Sequence, residues 1–330
     1  MTSPAAAADR AGKETTVRTW QGSRIAGLGY YQPPRVLTNE QLSQLVDTDD
    51  AWIRSRVGIQ QRHVAEEQSV ADMATAAAGK ALGAAGVQPG EVDLVVVATC
   101  TSIDRVPNVA SRVAASLDMA GQAAYDINTA CSGFSYALAT ADHAIRAGAA
   151  GTALVVGAER LTDFIDWQDR STCILFGDGA GAAVLVGADE PGVGPVVWGG
   201  SAQRGPAIRI EGREARIAQD GQTVFHWATT ALAPIAEEAC LRAGIKPAEL
   251  AGFVPHQANL RIINSVARDL GVEQAVIARD IVSSGNTSSA STPIALAKLV
   301  ERREVPSGAP VLLLGFGGGL TYAGQVIRCP

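Results

Sequence analysis

Asp126-Ile127-Asn128-Thr129-Ala130-Cys131-Ser132-Gly133-Phe134 is the stretch on which the reading of this 330-residue chain depends. It follows an apolar segment and opens an Ala-rich helical pattern that runs to about Gly148. From Ala130 through Ala141 no residue is charged, and a helix apolar on every side is a buried one. Cys131 is therefore expected at the N-terminal turn of a central helix. There the positive end of the helix dipole and the free backbone N–H groups favour thiolate over thiol. A buried Cys taken alone is most simply a small hydrophobe, so the case for Cys131 rests on the rest of the chain.

Composition narrows the field. A chain that is 47% hydrophobic and 18% charged has a substantial core. Net charge is −6, from 27 basic and 33 acidic residues, which argues against a general nucleic-acid binder. Five widely spaced cysteines make no disulfide framework and no C-x-x-C site, as expected of a reducing cytoplasm. Four histidines without H-E-x-x-H argue against zinc. Residues 1–18 are polar and Ala-rich and read as a disordered tail, and no uncharged run suggests a membrane span.

Strands and helices alternate along the chain, which predicts an α/β fold with helix-covered sheets. Ser23–Gly29 reads as a first strand and Asn39–Val46 as a short helix. Ser69–Gly86 is a helix with a capping-box-like start at Ser69 and Asp72 and a stop at Gly86. Val92–Thr99 and Gly151–Gly157 are unalternated apolar strands of the kind buried on both faces. Cys173–Val186 reads as two strands around Gly177-Asp178-Gly179. In the second half, Thr223–Gly244 is helical, and Pro234 inside it implies a kink or a later start. Phe253 to Asn259 ends a strand with His256; Leu260, Ile263, Ala267 and Leu270 then mark the buried face of a helix stopping at Gly271.

The chain also resembles itself. Ala85-Gly86-Val87-Gln88-Pro89-Gly90-Glu91-Val92 matches Ala243-Gly244-Ile245-Lys246-Pro247-Ala248-Glu249-Leu250, an offset of 158 residues. Leu154-Val155-Val156-Gly157 matches Leu312-Leu313-Leu314-Gly315, and Asn128-Thr129 matches Asn286-Thr287, at the same offset of 158. Three ungapped matches at one offset indicate a duplicated α/β unit: a first half over residues 19–190 and a second over 191–330, with a linker near 188–196. The register sets Cys131 opposite Ser289 and brings two corresponding turns to one centre.

This assembles a chemistry. Cys131 is a candidate nucleophile, His256 a candidate base or hydrogen-bond donor, and Asn286 a neutral donor. A soft sulfur nucleophile suits attack on a thioester, which it replaces with a thioester of similar energy. A His and an Asn together can donate to an oxygen that becomes an enolate. The glycines of Gly315-Phe316-Gly317-Gly318-Gly319 can let backbone N–H groups approach a substrate carbonyl, while Gly177-Asp178-Gly179 reads as a tight structural turn. Cys100, Cys173, Cys240 and Cys329 read as core or terminal thiols, and His63, His143 and His226 as structural.

The motifs D-T-D-D-A-W-I-R-S-R-V-G-I, T-A-C-S-G-F, F-G-D-G-A-G-A-A-V-L, V-P-H-Q-A-N-L-R-I, G-N-T-S-S-A-S and G-F-G-G-G resemble those of β-ketoacyl-acyl-carrier-protein synthase III, a thiolase-superfamily condensing enzyme, from about Arg24 to Ile327. Thiolases carry a second Cys and elongating ketosynthases a second His where this chain has Asn286; chalcone-synthase-like enzymes end in G-F-G-P-G. The resemblance implies a five-layered αβαβα fold of two duplicated halves and a homodimer. It implies that Cys131 takes an acyl group from acyl-CoA, and that His256 and Asn286 hold the enolate formed from malonyl-acyl-carrier protein as CO₂ leaves. N–H groups at Cys131 and Gly319 would form the other oxyanion hole, and Phe316 would favour decarboxylation. Trp52 and Arg170 would sandwich the CoA adenine, Arg56 would meet its phosphates, and Asn259 would line the substrate site. Arg261, with Arg268 on the same helix face, would meet the acyl carrier protein. Val106 stands where some members place a bulky Phe that closes the partner's acyl pocket, so starters larger than acetyl are expected. No metal, redox cofactor, nucleic acid or membrane partner is implied. Starter-unit priming for a polyketide pathway stands beside fatty acid initiation; acyl transfer to another acceptor and a silent ketosynthase subunit rank lower, because all three site residues are present.

Overall fold

Five apolar residues without alternation, Leu94–Ala98, form a strand enclosed on both faces. Leu94, Val96 and Ala98 point into one core cluster and Val95 and Val97 into another. Each such buried Val or Leu contributes about 1.5–3 kcal/mol. The computed structural model describes residues 20–212 and 215–330. The tail expected over residues 1–18 lies outside them.

The first sheet comprises β1 (Gly22–Tyr31), β2 (Leu94–Ala98), β3 (Ala123–Ile127), β4 (Thr152–Arg160) and β5 (Asp178–Ala188), in the order β1-β5-β4-β2-β3. The second comprises β6 (Val197–Gly199), β7 (Gly252–Pro255), β8 (Val276–Ile277), β9 (Pro310–Phe316) and β10 (Tyr322–Arg328), in the order β8-β7-β9-β10-β6. Read from the opposite edge, the second order repeats the first strand for strand. In each sheet the three strands at one side, β4-β2-β3 and β9-β7-β8, are parallel, and β5 and β10 run antiparallel to both of their neighbours. Even the register repeats: Leu94 pairs with Ala153, and 158 residues on, Gly252 pairs with Val311.

Helices fill three layers. Helix α2 (Val70–Ala85), after the short α1 (Asp50–Val57), and α3 (Val109–Ser116) cover the outer face of the first sheet. The Ser69–Asp72 capping box and the left-handed Gly86 bound α2 as predicted. Helix α4 (Gly133–Arg146) and its counterpart α7 (Ser291–Glu301) lie between the sheets, sharing one core with both. Helices α5 (Gly221–Arg242) and α6 (Leu260–Leu270) cover the outer face of the second sheet. The result is the expected αβαβα sandwich.

Three expectations are corrected. Cys173–Val186 holds one strand, β5: Asp169 caps a short helix over Arg170–Cys173, and Phe176 makes only an isolated bridge to Asn286. The helix at Asn39 ends at Leu42, where the Ser43 N–H closes on the Asn39 carbonyl. Pro234 does not delay α5, which starts at Gly221 on the Asp220 cap and runs through it.

Candidate active site

The loops at the carboxyl ends of the central strands meet over a cavity of about 660 Å³. Its lining includes Cys131, His256 and Asn286, so the three candidate chemical groups, two from one half and one from the other, share one space.

Cys131 sits in a tight turn, Ala130–Ser132, that leads into α4. Ala130 holds a left-handed φ of 47°, and its N–H is fixed by Asn128 Oδ1 at 3.2 Å. Gly317 lies against the nucleophile: a Cβ placed there would stand 2.8 Å from Cys131 Sγ, so only glycine leaves the sulfur its room. Burial pushes the Cys131 thiol up to about 11, against hydrogen bonds from the Ser288 hydroxyl and the Gly318 N–H that favour the thiolate. The resting sulfur is thus a thiol, and the thiolate expected from the helix start is overturned by desolvation. The Gly318 N–H is directed at the sulfur, and Gly319, whose N–H was expected to meet the acyl carbonyl oxygen, lines the cavity beside it.

His256 follows β7 and is 1% exposed. Its Nδ1 lies 2.6 Å from Ser291 Oγ, which also accepts the Gln257 N–H at 3.2 Å. Ser291 can donate its hydroxyl proton to Nδ1 while accepting from Gln257, and the tautomer that goes with this pairing carries the ring proton on Nε2. Desolvation holds the imidazole down at about 3, so at neutral pH it is uncharged and serves as a donor. Phe316 packs against it edge-on, ring centroids 5.2 Å apart. Asn286 has its Oδ1 committed to the Ser288 N–H at 2.9 Å, which leaves Nδ2 as the donor available to the cavity.

Trp52, Arg56, Asn259, Phe316 and Gly319 also line the cavity. The Arg170 guanidinium lies 4.7 Å from the centre of the Trp52 ring. The two sit in direct contact, so a flat base slipped between them must displace Arg170. Asn259 caps α6, accepting the Arg261 N–H at 2.9 Å and donating to the Arg56 carbonyl at 3.2 Å. Arg261 and Arg268 are exposed on α6, the first against the Phe225 ring and the second paired with Asp269 at 3.1 Å. Val106 is not brought to the cavity of its own chain and is 89% exposed.

Several participants were invisible to the sequence. Cys100, expected as a core thiol, lines the cavity. The stretch from Gly199 to Asp220, unassigned from sequence, supplies a wall: Ile208, Ile210 and Ile217 of a small hairpin face the cavity. Glu159 is tied to the site only through pairings across the chain, whereas Ser288, which lines the cavity, and Ser291, which reaches His256, both sit in the G-N-T-S-S-A-S motif and had that one signal.

The family described as 3-oxoacyl-[acyl-carrier-protein (ACP)] synthase III matches residues 125–201, and its C-terminal part matches residues 240–329. A relative named β-ketoacyl-[acyl-carrier-protein] synthase III 4, from Streptomyces coelicolor, is 58% identical over 94% of this chain and 99% of its own length. The chain belongs to the β-ketoacyl-acyl-carrier-protein synthase III family. Another synthase III relative, from Streptomyces avermitilis, is 60% identical over 94% of this chain and 99% of its own. Among solved structures, the priming β-ketosynthase of a polyketide biosynthetic pathway superposes with a TM-score of 0.93 at 41% identity, covering 96% of this chain and 99% of that one. The synthase III of Aquifex aeolicus gives 0.90 at 40% identity, covering 93% and 100%.

Proposed function

We propose that this synthase III catalyses a decarboxylating Claisen condensation between an acyl-CoA starter and malonyl-acyl-carrier protein. The observation that carries this reading is that a thiol, a neutral imidazole and a carboxamide from two duplicated halves share one cavity. In the first stage Cys131 Sγ attacks the starter thioester, the carbon–sulfur bond to CoA breaks, and CoA leaves as the thiol. In the second, the malonyl carbon–carboxylate bond breaks, and the electron pair is held as an enolate whose oxygen accepts from His256 Nε2–H and Asn286 Nδ2–H. The carbanion then attacks the acyl-Cys131 carbonyl, whose oxygen the Cys131 and Gly319 N–H groups would stabilise. Collapse frees Cys131 and releases 3-oxoacyl-carrier protein.

Arg56 and Trp52 at the cavity suit the polar end of CoA, with Arg170 moving to admit the base. Arg261 offers an exposed cation to an acidic carrier protein. A homodimer fits the half-exposed edge strand β3 and the exposed apolar Ile103 and Val106, 69% and 89% exposed. A bulky side chain is missing at Val106, which supports starters larger than acetyl. The apolar cavity wall and the priming ketosynthase neighbour favour a second reading in which the same condensation primes a polyketide chain. A cytoplasmic enzyme with no metal or redox cofactor completes the proposal.

The test combines two assays. Intact-protein mass spectrometry after incubation with a graded acyl-CoA series should show an acyl adduct on Cys131, greatest for branched or medium chains. Release of CO₂ from malonyl-carrier protein should follow only with the acylated enzyme. No adduct with any starter sinks the condensing reading, and strict preference for acetyl sinks the enlarged starter pocket.

A further inference from the structure

Two hydroxyls tie the turn that carries Cys131 to the glycine loop of the other half. Ser132, the residue after the nucleophile, is 0% exposed. Its Oγ lies 2.8 Å from Thr321 Oγ1, 2.8 Å from the Thr129 carbonyl and 3.1 Å from Thr129 Oγ1. Thr321 follows the Gly315-Phe316-Gly317-Gly318-Gly319 loop, just before β10. Its Oγ1 reaches the Gly318 carbonyl at 2.9 Å and the Thr129 carbonyl at 3.2 Å, and its own carbonyl accepts the Gly317 N–H at 3.1 Å. The matching turn of the second half has no such tie. Ala290 stands there in place of Ser132, and the buried Thr287 Oγ1, counterpart of Thr129 Oγ1, has no hydrogen-bond partner among the described residues.

The Gly318 carbonyl matters because of the group at the other end of its peptide bond. In a planar trans peptide the C=O and the N–H point in opposite directions, so whatever fixes the Gly318 carbonyl also aims the Gly319 N–H. That peptide lies between two glycines, and Gly319 holds a left-handed φ of 72°. Glycine takes either sign of φ readily, so this peptide can turn over at little cost. Turned over, it would present a carbonyl oxygen where the N–H stood, an acceptor in place of a donor. The Thr321 hydroxyl, with the Thr321 N–H at 3.5 Å on the same oxygen, holds it one way round.

We infer that Thr321 is a positioning residue for the acylation of Cys131. Its hydroxyl locks the Gly318–Gly319 peptide so that the Gly319 N–H stays aimed at the acyl oxygen, and Ser132 ties that lock to the turn holding the Cys131 N–H. The protons suffice for this: Ser132 donates to Thr321 Oγ1, and Thr321 donates to the Gly318 carbonyl. The two turns are then joined by one chain of hydrogen bonds, and the two N–H donors keep the fixed spacing that stabilisation of a developing oxyanion requires. Both hydroxyls act through the backbone and neither gives up its proton in the reaction. The inference rests on the proposed function, in which a thioester carbonyl is the group held.

The test compares two reactions of the Cys131 sulfur in wild type, Thr321→Val, Thr321→Ser and Ser132→Ala, each read by mass spectrometry on the Cys131 peptide. Acylation by acyl-CoA builds negative charge on a carbonyl oxygen; alkylation by iodoacetamide displaces iodide at a saturated carbon and builds none. At saturating acyl-CoA, Thr321→Val should acylate at least tenfold more slowly, with its half-saturating concentration within about twofold and its alkylation within about threefold of wild type. Thr321→Ser keeps the hydroxyl and should acylate within about threefold of wild type, with Ser132→Ala between the two Thr321 variants. Wild-type acylation by Thr321→Val overturns the inference. So do parallel losses of acylation and alkylation, which make the hydroxyl a support of the Cys131 turn alone, and a change confined to the half-saturating concentration, which makes Thr321 a substrate contact. If Thr321→Val does not fold, Ser132→Ala decides, since it deletes one hydroxyl: a wild-type acylation rate there overturns the tie. A wild type that alkylates but takes up no acyl group sinks the proposed function and this inference with it; a wild type that acylates no faster than Thr321→Val sinks the positioning role alone.

Discussion

At Asn128–Gly133 and, 158 residues later, at Asn286–Ser291, the chain makes the same turn. An Asn Oδ1 accepts the N–H two residues on in both, at 3.2 and 2.9 Å, and the next residues, Ala130 and Ser288, hold φ values of 47° and 48°. A single helical turn follows, then a buried helix. The side chains, however, are complementary. Cys131 answers to Ser289, Ala98 to His256, Gly133 to Ser291, Ala158 to Phe316 and Glu159 to Gly317. Where one half carries a functional group, the other carries a smaller residue or a different donor. Ser291 reaches His256 at 2.6 Å, whereas at Gly133 a Cβ would stand 3.0 Å from that of Ala98. Gly317 gives its side-chain space to Cys131, and its counterpart Glu159 fills the matching space against Ser289. One backbone, used twice, yields a single site because the two copies divide its contents.

This division of labour is sharpest in the two donors of the second half. Asn286→Ala or His256→Ala should lower condensation by about 10²–10³-fold each, the usual loss for one oxyanion donor. Acylation of Cys131, which belongs to the first half, should stay within about tenfold. Rapid-quench assays of each stage check this; if either variant abolishes acylation, the halves do not divide the two stages. Next in size is Gly317→Ala. The added methyl stands 2.5 Å from the Cys131 Cβ and 2.8 Å from its sulfur, and displacement of a reacting atom by this much lowers acylation by about 10²-fold. Near-normal acylation would show that Cys131 does not need the room that glycine leaves it at 317.

The third prediction concerns pH. His256 is held down at about 3 from 6.5 in the folded state by burial. Between those values the unfolded chain binds the extra proton, so the His256 contribution is present above pH 6.5 and is lost as pH falls. Asp178, raised to about 6 by burial, acts in the opposite direction: it favours the folded state as pH falls through 6. Wild-type stability therefore conceals both, and the informative quantity is the difference from His256→Gln. On going from pH 7 to 4.5 the variant should gain roughly 2–3 kcal/mol relative to wild type in urea unfolding. A difference that stays flat would mean that the imidazole titrates in the fold as it does in the unfolded chain, and that burial is not what keeps the donor of the second half neutral.

The duplication was legible in the sequence because it is carried by strands and turns: three short matches at one offset indicated the repeated unit and the paired turns, while strand order and register became visible only in the fold. Cys131, His256 and Asn286 were legible because each stands in a distinctive motif, Cys131 and His256 in turns that follow strands. The thiol state of Cys131 was not, since helix-end electrostatics is local and desolvation is set by the whole sandwich. Glu159 was hidden too: the residues it binds, Ser288 and Ser289, lie 129 and 130 positions away. Cys100 looked like any core cysteine until the fold put it on the cavity wall. Cys173–Val186 misled because β-branched and apolar residues around glycines look like paired strands, whereas Asp169 caps a helix there and pairing begins only at Asp178.

The smallest effect tests whether the shared turn is strained. A non-glycine residue in the left-handed region costs about 1–2 kcal/mol, and a glycine introduced there gives back roughly 0.5–1 kcal/mol through the freedom it adds to the unfolded chain. Ala130→Gly should therefore stabilise the protein by about 0.5–1 kcal/mol in urea unfolding, with Cys131 acylation falling severalfold as the residue before the nucleophile loosens. The matching residue Ser288 has a second task in the hydroxyl it gives to Glu159 at 3.0 Å, so Ser288→Gly should lose stability where Ala130→Gly gains it. Destabilisation by Ala130→Gly would mean that Asn128 and the helix behind it already relieve the turn. Equal gains of stability at the two positions would mean that Ser288 matters for its backbone alone, and the two turns would then differ in chemistry at Cys131 but not at the residue that precedes its counterpart.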